Sequence, residues 1–155
     1  MRIFLTILGL LFAVILQITL FPFISFLGVS PNLVLVLILI LVISKKFEKI
    51  WWLILLTSLF LDLLVGLPFG LVSLSLISAA YLVDRFNQSV FSGIRFWVLA
   101  SLIVLGNLAY NLFLFSLAKF FQAEVVLSLR YLSIEVIYNL LISLIFYVGF
   151  KKIFR

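Results

Sequence analysis

Two acidic side chains, Asp62 and Glu135, lie inside long apolar stretches and are the first candidates for chemistry. Two carboxylates held close together can act as a general acid and a general base. The chain has no His and no Cys, which excludes imidazole and thiolate metal sites, His-dependent nucleophile relays and disulfides. No companion motif accompanies the two acids, so we expect no enzymatic activity, no metal site and no cofactor.

The composition predicts the kind of element that must hold these side chains. Of the 155 residues, 67% are hydrophobic and 10% are charged, whereas an average soluble domain is roughly 45–50% apolar and about 25% charged. Six membrane-spanning helices of about 20 residues each would occupy about 120 residues. That leaves no room for a separate soluble domain. We therefore expect a single polytopic, all-α integral membrane domain with six transmembrane helices over residues 1–155.

The apolar runs predict where the six spans lie. Pro31 opens the second run, and two glycines and a proline within residues 66–70 form a turn between the third and fourth runs. Residues 84–95 are the most polar connection and are expected to form a solvated loop. The first run lacks a signal-peptide cleavage site at its end, so we expect it to be retained. The predicted spans are about 3–21, 31–44, 50–65, 71–83, 96–117 and 131–150.

The distribution of Lys and Arg predicts the orientation, because positively charged loops are retained in the cytoplasm. With the N-terminus inside, nine of the 11 basic residues fall on the cytoplasmic side and two, Lys119 and Arg130, fall outside. A five-span chain would export one terminus and mix these counts, so we predict that both termini are cytoplasmic. The nine residues are Arg2, Lys45, Lys46, Lys49, Arg85, Arg95, Lys151, Lys152 and Arg155.

Small and polar residues recur at helical spacing within the predicted spans. Glu135, Asn139 and Ser143, for example, stand four residues apart and share one face of a helix. In lipid, small residues permit close approach of helices, and polar side chains form hydrogen bonds between them. We therefore expect helix-packing contacts at Gly9, Ala13, Ser58, Ser75, Ala79, Asn139 and Ser143.

The two acids lie at similar depth near the predicted outer face. Asp62 comes three residues before the end of the third span, and Glu135 comes four residues after the start of the sixth. An ionisable group within a span costs a few kcal/mol and normally faces the bundle interior or a water-filled cavity. We predict an outer-half polar cluster or pocket that contains Gln17, Asn32, Asp62, Asn111 and Glu135.

Three interpretations of this cluster are open. The first is a structural hydrogen-bond network, which we favour for Glu135. The second gives Asp62 a role of its own, either organising the turn after it or lining an outward-facing pocket. The third is a carboxylate dyad for acid–base catalysis, and no accompanying motif supports it.

The turn after the third span has a distinctive pattern. Residues 62–70 have the sequence D-L-L-V-G-L-P-F-G, a D-L-x-x-G-x-P-x-G motif followed by another span. Before it come residues 16–22, L-Q-I-T-L-F-P, and residues 28–35, G-V-S-P-N-L-V-L. Over its first 85 residues the chain resembles the rod shape-determining MreD family. The turn motif matches at Asp62, Gly66, Pro68 and Gly70, whereas Asn32 stands where the family commonly has Asp, and glycines usual early in the third span are replaced around residues 52–58.

This resemblance implies a non-enzymatic, multi-pass scaffold in the cytoplasmic membrane, part of the cell-wall elongation machinery that controls rod shape. Its expected partner is MreC, and through MreC the actin-like MreB and the wall synthases. Self-association is left open, and no nucleic-acid partner is expected because the chain has no solvated basic surface. The family's fold is similar to the six-helix substrate-capture subunits of energy-coupling-factor vitamin transporters. That similarity supplies an alternative function, the capture of a vitamin-type small molecule.

Overall fold

The fold is a bundle of six α-helices. The computed structural model describes residues 2–90, 96–125 and 128–150, and no β-strand occurs among them. The predicted all-α fold with six helices is confirmed for this part of the chain. A short 3-10 helix, Phe21–Ile24, follows the first α-helix. The α-helices are α1 (Arg2–Thr19), α2 (Leu33–Lys45), α3 (Phe47–Val65), α4 (Leu71–Val90), α5 (Phe96–Phe120) and α6 (Leu129–Phe150).

Two of the described helices are long and apolar enough to cross a membrane, judged by length and composition. They are α5, with 25 residues, and the stretch Leu129–Phe146 of α6. Shorter apolar helices cover Thr6–Thr19 and Leu33–Lys45. At 1.5 Å per residue α5 is about 37 Å long, which exceeds the ~30 Å hydrocarbon core of a bilayer. The described helices are thus compatible with a membrane protein.

Helix α2 is the centre of the bundle and packs against each of the other five α-helices. Its sequence is apolar on every side, the pattern expected for a helix that is surrounded by other helices. Nine of its 13 residues are buried. Asn32 begins the helix as its N-cap, because its side-chain oxygen accepts a hydrogen bond from the Leu35 N–H at 3.1 Å.

Two backbone positions with positive φ set the directions of the middle helices. A single residue, Lys46, joins α2 to α3 with φ 67° and ψ 143°. Gly66 ends α3 in the left-handed conformation, with φ 73° and ψ 11°, where the missing Cβ removes the steric penalty. Helices α2, α3 and α4 pack against one another.

The expectation of a solvated loop over residues 84–95 is wrong for residues 84–90, which continue α4 to Val90. Asp84 is buried, and its Oδ2 accepts a hydrogen bond from Gln88 at 2.6 Å, one turn later. Arg85 donates to the Tyr81 hydroxyl at 3.0 Å. Pairs at i and i+4 stabilise a helix, so these polar residues extend α4 instead of ending it. Residues 91–95 lie outside the described residues.

The other helix bounds differ from the predicted spans by a few residues. Helix α3 begins at Phe47, three residues earlier than predicted, because Glu48 lies in its first turn. Helix α5 continues beyond residue 117 to Phe120. Four of the basic residues used to predict the orientation lie outside the described residues, namely Arg95, Lys151, Lys152 and Arg155.

Candidate functional site

The Asp62 carboxylate binds the beginning of α4. Its Oδ1 accepts a hydrogen bond from the Val72 N–H at 2.8 Å. Its Oδ2 accepts bonds from the N–H groups of Gly70 and Ser73, each at 3.1 Å, and a further bond from the Ser73 hydroxyl. Asp62 is buried, with 3% exposure. One side chain of α3 thus accepts four hydrogen bonds from donors at the start of the next helix.

This arrangement has a physical reason in the helix terminus. The first N–H groups of a helix have no partner inside that helix and need acceptors from elsewhere. The N-terminal end also carries a partial positive charge, which a carboxylate complements. Asp62 therefore acts as an N-cap supplied by a neighbouring helix. Of the two roles considered for Asp62, organising the following turn is the one that these contacts describe.

The other residues of the motif shape the turn that Asp62 holds. Gly66 and Gly70 have φ of 73° and 94°, backbone angles that cost free energy for a residue with a Cβ. The carbonyl of Pro68 accepts a hydrogen bond from the Leu71 N–H at 3.1 Å, which closes the turn onto the first residue of α4. Each matched motif residue thus contributes either a backbone conformation or a hydrogen bond.

A second polar centre joins α1, α2 and α6. The Gln17 side chain donates to Asn32 Oδ1 at 3.2 Å and accepts from the Val34 N–H at 2.8 Å. The Asn32 N–H donates to Asn139 Oδ1 at 2.8 Å, although the two residues are 107 positions apart in the sequence. Gln17 of α1 and Asn139 of α6 therefore meet at the N-terminus of α2.

Glu135 extends this centre to α5. Its Oε2 accepts a hydrogen bond from the Asn111 amide at 2.9 Å. The Asn111 amide donates to Asn107 Oδ1 as well, at 3.2 Å. Glu135 and Asn111 are both buried, with 3% exposure each. The hydrogen-bond partner of this acid is therefore an amide side chain of α5. We call this network, formed by Gln17, Asn32, Asn107, Asn111, Glu135 and Asn139, the amide network.

The amide network leaves some of its own donors without a partner. Among the described residues, the side-chain nitrogens of Asn107 and Asn139 are buried and make no hydrogen bond. A buried donor without a partner costs about 1–3 kcal/mol. Both oxygens of Asp62, in contrast, accept hydrogen bonds. The two polar centres therefore differ in how completely their polar atoms are satisfied.

The structure divides the predicted polar cluster into these two centres. Gln17, Asn32, Asn111 and Glu135 belong to the amide network, whereas the hydrogen bonds of Asp62 go to the α3–α4 turn and the start of α4. Helix-packing positions that are buried as expected are Ala13, Ser58, Ser75, Ala79, Asn139 and Ser143.

Gly9 departs from the expected packing. It lies on an exposed face of α1, and a Cβ built there would meet no atom within 4 Å. The expectation that Gly9 packs closely against another helix of this chain is therefore wrong. Its exposed neighbours Leu8 and Phe12 show that this face points away from the bundle.

Sequence reasoning missed a close approach at Gly106. A Cβ at this position of α5 would lie 2.5 Å from Leu39 Cδ1 of α2 and 3.1 Å from Val83 Cγ2 of α4. Gly106 thus lets three helices meet next to Asn107. The sequence gives no signal for it, because Gly106 and Gly9 both lie in apolar helices. The Ser73 hydroxyl, which bonds to Asp62, was also missed.

Two surface cavities lie apart from both polar centres. One lies between α4 and α5 and is lined by Ser78, Tyr81, Leu82, Arg85, Phe86 and Phe113. The other has a volume of about 490 Å³ and lies beside the α2–α3 junction. None of the residues that line either cavity belongs to the amide network or to the α3–α4 turn.

Comparisons of the chain with protein-family models, with curated proteins and with solved structures give no match. A function can therefore be inferred only from the chain's own residues and their geometry, namely from the turn motif and the two polar centres.

Proposed function

We propose that the chain is a multi-pass membrane protein whose six helices cross the bilayer with both termini on the cytoplasmic side. Large apolar side chains on its outer surface support this. On α1 they form a stripe along one helix face, with exposed fractions above one half. A soluble bundle would turn such a stripe towards its core. The residues of the stripe are Phe4, Leu8, Phe12 and Ile15.

Helix α6 presents a similar outer surface. Only 17% of its apolar stretch is buried inside the bundle, against 39% for α5. Its polar side chains Glu135 and Asn139 face inwards, whereas Ile137, Leu141 and Ile145 are exposed. A helix with polar residues inside and apolar residues outside suits a lipid environment, because lipid is the solvent that accepts the apolar face.

The hydrogen bonds also support alternating crossings. The amide network joins the end of α1 and the start of α2 to the middle of α5 and the first half of α6. The opposite end of the bundle joins the end of α4 to the end of α2, because the Asn87 side chain donates to the Ile43 carbonyl at 3.4 Å. Consecutive helices that begin and end at opposite faces are what a chain threading the bilayer six times requires.

The helix lengths are consistent with this topology. Helices α1, α3 and α4, with 18, 19 and 20 residues, are about 27–30 Å long at 1.5 Å per residue. Helix α2, with 13 residues, reaches only about 20 Å. It is also the helix that other helices surround, so its short length is covered by protein and not by lipid.

Within this membrane location we propose an MreD-like role: a scaffold of the bacterial wall-elongation machinery that binds MreC at its lateral and outer faces. The observation that carries the proposal is the α3–α4 turn. The motif residues Asp62, Gly66, Pro68 and Gly70 each have a geometric role there, which supports reading the pattern as a structural motif. The turn lies at the predicted outer face, where a periplasmic domain of a partner would meet it.

The contacts of the two acids favour structural roles over acid–base chemistry. The hydrogen bonds of Asp62 go to the backbone and hydroxyl of α4, and those of Glu135 go to amide side chains. No member of the amide network lines either surface cavity. These observations favour a scaffold over both a carboxylate dyad and a capture subunit.

Co-purification with an MreC-like protein in mild detergent tests the proposed role. We expect a stable complex that Asp62→Asn weakens and that the matched variant Glu135→Gln leaves intact. Cell shape in a strain that depends on the chain should follow the same order. Clean separation of the two proteins, together with normal shape after deletion, would contradict the scaffold role. A vitamin that remains bound through purification would favour the capture subunit instead.

A further inference from the structure

A basic groove lies at the end of the bundle opposite to the amide network. It is formed where α1 passes the junction of α2 and α3, and its volume is about 490 Å³. Its walls combine ammonium groups, hydroxyl groups and apolar side chains. The lining residues are Thr6, Ser44, Lys45, Lys46, Lys49, Ile50, Trp52 and Leu53.

The groove concentrates positive charge on a short segment. Lys45, Lys46 and Lys49 lie within five consecutive residues and all line it. The acid in this segment, Glu48, does not line the groove. The three lysines therefore form a local excess of positive charge, which suits an anion.

The backbone of the junction adds to this preference. Lys46 is the N-cap residue of α3, and its side chain makes no capping hydrogen bond. The first N–H groups of α3 thus receive no side-chain acceptor from their own cap, and the positive end of the helix dipole points to the same junction. Helix N-termini of this kind favour phosphate groups.

The apolar side of the groove indicates what carries the phosphate. Ile50, Trp52 and Leu53 come directly after the lysines along α3 and line the same cavity. Trp52 is part exposed, and the side chain of Trp is enriched where a membrane meets water. A free phosphate would gain nothing from this wall, whereas acyl chains would pack against it.

We propose that this groove binds an anionic phospholipid from the cytoplasmic leaflet. The lysines contact the phosphate group, and the apolar wall contacts the start of the acyl chains. The inference rests on the proposed membrane location and on the predicted orientation, which puts the α2–α3 junction inside. There, anionic lipids attract basic segments close to the membrane. A bound lipid would also hold α1, through Thr6, against the junction.

Native mass spectrometry of the purified chain tests the proposal. The chain is titrated in detergent with phosphatidylglycerol and, for comparison, with phosphatidylcholine. We expect phosphatidylglycerol to bind at least about tenfold more tightly, and the variant that combines Lys45→Gln with Lys49→Gln to lose most of that preference. The matched control combines Lys119→Gln with Arg130→Gln, which removes the same charge at the opposite end and should keep the preference.

Two further arms keep the outcome decisive. Should the double variant not fold, Lys46→Gly removes one ammonium group at a position whose positive φ suits glycine, and we expect a partial loss. Inorganic phosphate at millimolar concentration should leave bound lipid unchanged. Displacement by phosphate, equal binding of both lipids, or an equal loss in the control would each overturn the proposal.

The result is separable from the test of the scaffold role. Lipid binding is measured on the chain alone, without an MreC-like protein. If the unsubstituted chain shows no preference for phosphatidylglycerol but still forms the complex, only the groove assignment is overturned. Failure of the complex with lipid binding retained would overturn the scaffold role only.

Discussion

Asp62 and Glu135 are both acids within apolar runs, with a similar predicted depth and the same 3% exposure. The bundle nevertheless uses them differently. Asp62 receives four donors from one short segment, residues 70–73, and both its oxygens are satisfied. Glu135 accepts a hydrogen bond from the Asn111 amide of α5, within a network in which Asn107 and Asn139 keep an unpartnered nitrogen. One acid holds a local turn, whereas the other joins two helices of the bundle.

This difference indicates how much each acid contributes. A carboxylate on a helix N-terminus gains from several charge-assisted hydrogen bonds and from the helix dipole together. A carboxylate among amides gains hydrogen bonds that an uncharged side chain of the same shape can also accept. The charge should therefore matter at Asp62 and matter little at Glu135. The predictions below test this contrast, from the largest expected effect to the smallest.

The largest effect is expected for Asp62→Ala, which leaves the start of α4 without its acceptor. We expect a loss of about 3 kcal/mol in the free energy of unfolding, measured by thermal or denaturant unfolding of the purified chain in detergent. Asp62→Asn keeps one side-chain oxygen and should lose less, about 1–2 kcal/mol. A loss at Asp62→Ala no larger than that at Glu135→Gln would remove the contrast between the two acids.

Gly106→Ala tests whether close packing positions α5 beside the amide network. The new methyl group would lie 2.5 Å from Leu39 Cδ1, and Leu39 is fully buried. We expect overpacking to cost about 1–3 kcal/mol in the same unfolding measurement. The matched control is Gly9→Ala on α1, where nothing lies within 4 Å, and its unfolding should be unchanged or slightly later. Equal behaviour of the two variants would refute the close approach.

Asn139→Ala tests the long-range side of the comparison. It removes the acceptor of the Asn32 N–H, which then lies buried without a partner. We expect a loss of about 1–2 kcal/mol. Ser143→Ala is the matched control on the same face of α6, since the Ser143 hydroxyl bonds to the Leu140 carbonyl of its own helix at 2.8 Å. A neutral Asn139→Ala would mean that the network does not join α6 to α2.

The smallest effect is expected for Glu135→Gln. The amide oxygen of Gln can still accept the bond from Asn111, and the side chain has the same shape. We expect a change below about 1 kcal/mol in the free energy of unfolding, with binding of the MreC-like partner unaffected. A large loss of partner binding in a well-folded Glu135→Gln variant would assign a functional charge to Glu135 and reverse the comparison.

Features with a local cause could be predicted from the sequence. The number of helices follows from the apolar runs, and the α3–α4 turn follows from two glycines and a proline within residues 66–70. The end of α4 is an exception, because the polar residues Asp84, Arg85 and Gln88 are typical of a loop. Their hydrogen bonds to residues one turn away, within α4 itself, stabilise the helix instead.

Features with a distant cause could not be predicted. The bond between Asn32 and Asn139 depends on how α2 and α6 pack, and no spacing within either helix indicates it. Gly9 and Gly106 look equivalent in sequence, since both lie in apolar helices. Only the packing shows that Gly9 faces outwards and that Gly106 meets Leu39.

The membrane topology is the central claim, and cysteine labelling tests it most directly, because the chain has no Cys of its own. Phe69→Cys places a thiol at an exposed position of the α3–α4 turn, and Lys46→Cys places one at the α2–α3 junction. In sealed, right-side-out membrane vesicles, a membrane-impermeant maleimide should label Phe69→Cys at once and Lys46→Cys only after the vesicles are opened. Equal labelling of both positions in sealed vesicles would contradict the crossing of α3 and the account that depends on it.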